Sequence, residues 1–211
     1  MIRGHEAPLT RLERRALKVA VFAAVSVPLL QLARGVFWGA LAADPYPPVI
    51  QTTGLWSLRL LLLSLVLSPL ARAAGWGWPL DLRRMIGLFA AFYALVHLAM
   101  WTKDYGFDWR FLAGEVVARP YLSIGLAGAL LLVPLAATST DGSVRRLGAR
   151  TWRRVHWLVY PAAALSYLHF AMAGRFTRAE TLIDAVLLAV LFTLRLVRAG
   201  RRLAAPRTQY P

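Results

Sequence analysis

The 211-residue sequence contains no cysteine, and acidic residues are scarce, with ten Asp and Glu against 25 Lys and Arg. The absence of cysteine excludes disulfide bonds, iron–sulfur clusters, thiolate ligation of a metal and cysteine nucleophiles. The motifs GxGxxG, HExxH and GxSxG and the Walker loop are also missing. The chain therefore carries no recognisable soluble nucleotide-binding domain or hydrolase site.

Apolar residues, in contrast, are abundant and make up 58% of the sequence. They form six long runs, which predict an all-α integral membrane protein with six transmembrane helices. A basic arm (1–18) and a basic tail (199–211) flank this transmembrane domain of residues 19–198. The predicted spans are about 19–38, 55–71, 84–101, 120–137, 153–172 and 181–198.

The first span could also belong to a signal peptide, because Ala40-Leu-Ala42 resembles a cleavage site after a basic start. However, Arg34, Phe37 and Trp38 stand where a short polar region should precede the cleavage site. We therefore favour a retained membrane anchor.

The positions of the positive charges predict the orientation of the helices. Eighteen of the 25 Lys and Arg residues lie in the N-terminal arm and within residues 72–84, 145–154 and 195–207, at or beyond the ends of the predicted spans. Six spans place all these parts on one side of the membrane, and Lys and Arg are retained on the cytoplasmic side. The pattern predicts cytoplasmic N- and C-termini, and it indicates membrane topology rather than nucleic-acid binding.

Two histidines lie near the outer ends of two parallel predicted spans, His97 in span three and His169 in span five. Neutral imidazole is a good axial ligand for haem iron, and two facing imidazoles can bind one haem from both sides. The pattern therefore predicts a haem-binding bundle in which these residues form a ligand pair. The alternative for each histidine is a hydrogen bond to a neighbouring helix.

His156 lies near the cytoplasmic end of span five, and its partner should come from the start of span three, where no histidine occurs. Arg83 precedes His97 by fourteen positions and returns to within about 40° of the same helix face, whereas Arg84 falls about 140° away. Arg83 is therefore our candidate for facing an inner haem, as a ligand or as a propionate partner. Met85 is the alternative ligand.

The two histidines of span five do not share a face of an ideal helix. His156 and His169 are thirteen positions apart, which places them about 140° apart around the axis. Pro161 lies between them and can kink the helix and alter its winding. Two levels of haem binding therefore require such a distortion.

The loop between spans four and five is strongly basic. Positive-inside anchoring explains this charge. The alternative is that the loop docks an electron donor, or an anionic flavin or quinone headgroup, near the inner haem. Its arginines are Arg145, Arg146, Arg150, Arg153 and Arg154.

Short motifs along residues 43–170 resemble the MsrQ (formerly YedZ) family of haem-binding membrane subunits. They occur in the family's order and are specific as a set. The motifs are Ala43-Asp-Pro45, Ser68-Pro-Leu-Ala-Arg72, Arg83-Arg-Met-Ile-Gly87, His97-Leu98, Arg119-Pro-Tyr-Leu122, Thr138-Ser-Thr140, Arg146-Leu-Gly148, Trp152-x-x-x-His156-x-x-x-Tyr160 and His169.

This resemblance implies a ferric-reductase-like six-helix domain with one or two b-type haems per chain. His97 and His169 would hold one haem, and His156 would serve a second haem or the inner face. The oxidase-type pattern has a second histidine on span three where this chain has Arg83, and this departure leaves the number of haems open. The resemblance also implies FMN, although we recognise no site for it.

The resemblance further implies an electron-transfer subunit of the bacterial inner membrane rather than a stand-alone enzyme. Electrons would come from the quinone pool or from a cytosolic flavin reductase. They would pass to MsrP, a periplasmic molybdenum-cofactor reductase that repairs oxidised methionine. The rival hypothesis is a proton-coupled transporter or channel that uses the histidines as a relay.

Overall fold

The computed structural model describes residues 9–39, 41, 44–174 and 177–204, and within them it is entirely helical. Four of the helices, α1, α2, α3 and α5, are long and apolar enough to cross a membrane. The chain is therefore an all-α protein of the multi-pass membrane class. The helices are α1 (Arg11–Phe37), α2 (Tyr46–Ala74), α3 (Trp78–Asp104), α4 (Trp109–Ala118), α5 (Pro120–Ala137), α6 (Asp141–His156), α7 (Val159–Ala173) and α8 (Arg178–Ala204).

The fourth predicted span, 120–137, has the same bounds as α5, and Pro120 occupies its first turn. α2 and α3 are longer than the predicted second and third spans. Both begin earlier in the sequence than predicted, with a proline in the first turn. Proline suits that position, since its missing N–H would have no partner within the helix there. Pro47 and Pro48, which precede the predicted second span, therefore lie in the first turn of α2.

The predicted fifth span, 153–172, is not one helix, because α6 ends at His156 and a turn precedes α7. Pro161 has no N–H to continue the regular bonding. The carbonyl of Trp157 instead accepts a hydrogen bond from the N–H of Tyr160, at 3.1 Å. The prediction that placed His156 inside the fifth apolar helix is therefore wrong, and this residue terminates the preceding basic helix.

Two helices form where the sequence suggested loops. Asp108 caps α4 by accepting hydrogen bonds from the N–H groups of Arg110 and Phe111, both at 3.1 Å. Thr140 caps α6 in the same way and accepts from the N–H of Ser143 at 3.0 Å. Such caps satisfy N–H groups that have no partner within a helix.

α2 is the central helix of the bundle and packs against α1, α3, α7 and α8. α2 and α3 form one extensively packed pair, and α5 and α7 form another. Large apolar side chains on the outside of the bundle are exposed, among them Phe22, Leu95, Leu130 and Val186. An apolar exterior around a packed interior is the arrangement that a lipid environment requires.

The two ends of the bundle differ in charge. We call the end that holds the start of α3, the end of α5 and the whole of α6 the basic end, and the opposite end the far end. Arg84 pairs with Asp141 at 2.7 Å at the basic end. The hydrogen bond from the Arg84 guanidinium holds the pKa of this exposed carboxyl below its usual range. Arg59 and Glu180 form an ion pair at 3.3 Å towards the far end.

Candidate functional site

The structure brings His97 of α3 and His169 of α7 together near the far end. Their ring centroids are 6.1 Å apart, and the ring planes are inclined by 80°. Both line a cavity of about 260 Å³ whose walls come from α2, α3, α5 and α7. The two histidines that the sequence placed at similar depth therefore share one site.

Each imidazole of this histidine pair is held by a backbone carbonyl of a neighbouring helix. His97 Nδ1 lies 2.8 Å from the carbonyl oxygen of Ile50, and His169 Nδ1 lies 2.7 Å from that of Tyr121. A carbonyl oxygen can only accept, so each Nδ1 carries a proton and donates it. Nε2 of each neutral ring therefore keeps its lone pair, which is the usual state of a metal-binding histidine.

Two glycines give these imidazoles room to reach the carbonyls. A Cβ atom at Gly54 would lie 2.9 Å from His97 Nδ1, and one at Gly125 would lie 2.5 Å from His169 Nδ1. Each glycine lies one helical turn after the residue whose carbonyl accepts the hydrogen bond. Neither glycine was predicted as a site residue; the available signal was an isolated glycine inside an apolar helix.

The far-end cavity also contains an aromatic side chain and a cation. The Tyr121 ring stacks on His169 with centroids 5.8 Å apart and an interplanar angle of 26°. Arg119 also lines the cavity, and its guanidinium forms an ion pair with the Glu115 carboxylate at 2.7 Å. Most of the remaining lining is apolar, including Leu58. Such a site suits a largely apolar ligand with a small number of anionic groups.

A second cavity, of about 290 Å³, lies at the basic end. Arg83 and His156 both line it, and so does Arg84, which the spacing along α3 had placed about 140° from the face of His97. Met85, the alternative ligand, packs against the hydrophobic core instead. The structure therefore brings both arginines, and not Met85, to the cavity of His156.

His156 is held differently from the histidine pair. The Trp152 ring stacks on it with centroids 3.9 Å apart, and its Nε2 lies 3.2 Å from Thr138 Oγ1. The same hydroxyl donates its proton to the carbonyl of Pro134 at 2.6 Å, so it accepts from His156 Nε2–H. Neutral His156 therefore keeps its lone pair at Nδ1, whereas neutral His97 and His169 keep theirs at Nε2.

The predicted docking loop is part of α6, and its five arginines are all exposed. Gly148 has a φ of 73°, a backbone conformation that favours glycine, and it divides α6 into two parts. Exposed arginines fit membrane anchoring and donor docking equally, so both interpretations stay open.

The ligand chemistry of the far-end cavity restricts the kind of metal centre it can hold. In the part of the chain that the structure describes, no three His, Cys, Asp or Glu side chains come together as a metal site. Two neutral imidazoles alone cannot complete the coordination of a bare metal ion. They do suit a metal that brings its own equatorial ligands, as porphyrin iron does.

Comparison with known proteins agrees with this chemistry. The family described as "Ferric reductase like transmembrane component" matches residues 53–167, a range that contains His97 and His156 and ends before His169. A protein of Rhodospirillum rubrum named "Protein-methionine-sulfoxide reductase heme-binding subunit MsrQ" is 44% identical over 186 residues, covering 88% of this chain and 89% of that protein.

Two further proteins with the same name show similar levels of identity. The one from Xanthomonas campestris pv. campestris is 43% identical over 202 residues, covering 92% of this chain and 90% of its own. The one from Ralstonia nicotianae is 40% identical over 187 residues, covering 86% of this chain and 85% of its own. The similarity thus extends over nearly the whole of each chain.

Proposed function

The chain belongs to the MsrQ family of haem-binding subunits, with a ferric-reductase-like transmembrane component, and from this premise we propose that it is a b-type membrane cytochrome. Its function would be to pass electrons across the bacterial inner membrane to a periplasmic molybdenum-cofactor methionine sulfoxide reductase, MsrP. The observation that carries this proposal is the far-end histidine pair, in which both imidazoles are oriented through Nδ1.

In this proposal His97 and His169 would hold one b-type haem through Nε2 of each imidazole. When bound, the haem supplies a one-electron couple between ferric and ferrous iron. The carbonyls of Ile50 and Tyr121 fix the orientation of the imidazoles and raise the basicity of Nε2. Apolar side chains limit the access of water to the site, and Arg119 supplies a positive charge for a carboxylate of the ligand.

The basic-end cavity is the second site in the proposal. Arg83 and His156 would hold a second haem there, as ligands or, for Arg83, as a propionate partner. With a single haem, the same residues would form the contact region for the electron donor. The FMN that the family resemblance implies stays a prediction, and we assign no residue to it.

We propose six spans in total, with α7 and α8 completing the set that α1, α2, α3 and α5 begin. α7 has 15 residues, about 22 Å of helix, so it crosses only with the help of the turn before it. The arginines of α6 and of the end of α8 lie on the same side as the start of α1 in this topology. Both termini are then cytoplasmic.

The absence of native cysteine makes this topology directly testable. Single substitutions Lys103→Cys, Arg146→Cys, Arg11→Cys and Gly200→Cys introduce thiols at exposed positions. We expect a membrane-impermeant maleimide to label only Lys103→Cys in intact spheroplasts and to label the other three after permeabilisation. Unsubstituted protein is the control and should stay unlabelled. Labelling of Gly200→Cys from outside would contradict the six-span topology.

Exposed aromatic residues at the far end provide a docking surface for the periplasmic partner. Phe107, Trp109 and Phe111 are at least about half exposed and lie where α3 ends and α4 begins. Aromatic residues are enriched where proteins bind each other. At the opposite end, exposed arginines of α6 would receive the donor, either the quinone pool through its headgroup or a cytosolic flavin reductase.

Electron delivery is the test of the proposed function. Purified protein reduced with a stoichiometric amount of dithionite should be re-oxidised when MsrP and methionine sulfoxide are added together. MsrP without the sulfoxide is the control and should cause at most a partial change. A protein that stays reduced with both present would contradict the assignment of the partner. Quinol and a flavin reductase with its nicotinamide donor, supplied separately, identify the source of electrons.

A further inference from the structure

Two half-buried arginines near the end of α8, at the basic end, have no carboxylate partner among the described residues. The described carboxylates at this end are already engaged: Glu13 with Thr10, Asp81 with Arg14, and Asp141 with Arg84. We call these two residues, Arg195 and Arg198, the arginine cluster. Among the described residues, no acidic side chain pairs with either of them.

Arg195 of the arginine cluster packs on Tyr160 of α7. Its guanidinium carbon lies 4.9 Å from the centroid of the Tyr160 ring. Its Nη2 reaches the carbonyl of Leu65 at 3.5 Å, which places it between α2, α7 and α8. Arg198 lies one helical turn after Arg195 on α8.

Two guanidinium nitrogens of the arginine cluster are buried without an acceptor. Within the described part of the chain, Nε of Arg195 and Nη1 of Arg198 have no hydrogen-bond partner. Unpaired buried donors are unfavourable, and neighbouring like charges add repulsion. A bound anion with several acceptor oxygens would remove both costs, and a phosphate group is the anion that arginine binds best.

We propose that the arginine cluster binds the phosphate of an acidic phospholipid from the cytoplasmic leaflet. The surroundings favour a lipid over a soluble phosphate. Leu194, Leu196 and Val197 alternate with the two α8 arginines, and the exposed fractions of their side chains are 39%, 72% and 47%. Such a helix presents apolar surface to acyl chains beside cations for the headgroup.

Two aromatic side chains beside the arginine cluster indicate that it lies at the level of the membrane interface. Trp157 is exposed, and its ring packs edge-on against Tyr160, with centroids 5.6 Å apart. Tryptophan and tyrosine concentrate where headgroups meet the hydrocarbon core. The cluster therefore lies at headgroup depth, and it is distinct from the far-end histidine pair.

The test measures lipid retention by the full chain. Protein is exchanged into detergent containing equal amounts of phosphatidylglycerol and phosphatidylcholine, and retained lipid is counted by native mass spectrometry. We expect retention of phosphatidylglycerol in clear preference to phosphatidylcholine. The variant Arg195→Ala/Arg198→Ala should retain phosphatidylglycerol about 25-fold less, since one arginine near a lipid surface accounts for about fivefold.

The matched control is Arg11→Ala/Arg15→Ala, which removes two exposed arginines from the basic end and should lower retention less than the α8 variant does. The haem spectrum of each variant shows that the fold is retained, and it separates this proposal from the proposed electron transfer. Equal retention of both lipids by unsubstituted protein would overturn the proposal without any variant. Displacement of phosphatidylglycerol by millimolar inorganic phosphate would assign the site to a soluble phosphate instead.

Discussion

His169→Ala and His97→Ala should each abolish the low-spin signal of the far-end haem. On the proposed ligation, either change would remove one of the two imidazoles that hold this haem, and these are the imidazoles that the structure brings together there. We expect the haem retained at this site after purification to fall by about tenfold or more. Loss of an outer-shell partner already lowers affinity by about 10- to 100-fold, and loss of a ligand costs more. Reduced-minus-oxidised spectra with haem quantified per chain provide the measurement.

Two controls separate lost ligation from misfolding. His156→Ala changes a histidine at the opposite end of the bundle and should keep the far-end signal. Imidazole added to His169→Ala should restore a low-spin spectrum, because the space left by the side chain can admit the free ligand. Full haem content with an unchanged spectrum in both single variants would exclude His97 and His169 as the ligand pair.

Gly125→Ala should also weaken far-end haem binding, although it leaves both ligands in place. The added Cβ would lie 2.5 Å from His169 Nδ1, so the ring must move and its hydrogen bond to the Tyr121 carbonyl must break. Loss of such an orienting partner costs about 10- to 100-fold in affinity. Haem titration of the haem-free protein measures this loss.

The glycine substitutions should form a graded series. Gly54→Ala should have a smaller effect than Gly125→Ala, because the corresponding distance to His97 Nδ1 is 2.9 Å. Gly114→Ala is the matched control, since a Cβ there meets nothing within 4 Å. Equal haem affinity in Gly125→Ala and Gly114→Ala would show that the close approach of His169 to α5 is not needed.

The helices in the membrane could be predicted where apolar runs have clear boundaries. The bounds of α5 follow from Pro120 at its start and from the Thr138-Ser-Thr140 segment at its end. The spacing along α3 predicted the level of Arg83, and the structure brings Arg83 and His156 to the same basic-end cavity. The same spacing placed Arg84 about 140° away, yet Arg84 also lines this cavity, so helical periodicity indicated the level of the site and not the set of side chains around it.

The break before α7 was missed because the predicted fifth span included Arg153, Arg154 and His156, which belong to the basic helix α6. Its position follows from the missing N–H of Pro161 and the turn that replaces the regular bonding. α4 and α6 were missed because their polar sequences resemble loops. Only the side-chain caps Asp108 and Thr140 signal that helices begin there.

The device that orients the histidine pair was beyond sequence reasoning, because it depends on contacts between distant helices. α2 and α3 supply a carbonyl, a glycine and a histidine, and α5 and α7 supply the same three groups. In the sequence, each glycine is only a small residue within an apolar helix, with nothing that indicates a role at a site. Its role is visible only once the packing partner is known.

One spectrum tests whether this chain binds haem through the far-end histidine pair. Detergent-purified protein from haem-replete cells is measured in the oxidised and dithionite-reduced states, and haem is quantified per chain. We expect a sharp low-spin b-type signal with at least one haem per chain. A second haem would place His156 and Arg83 among the haem-binding residues. A colourless protein would contradict haem binding and favour a proton-coupled transporter.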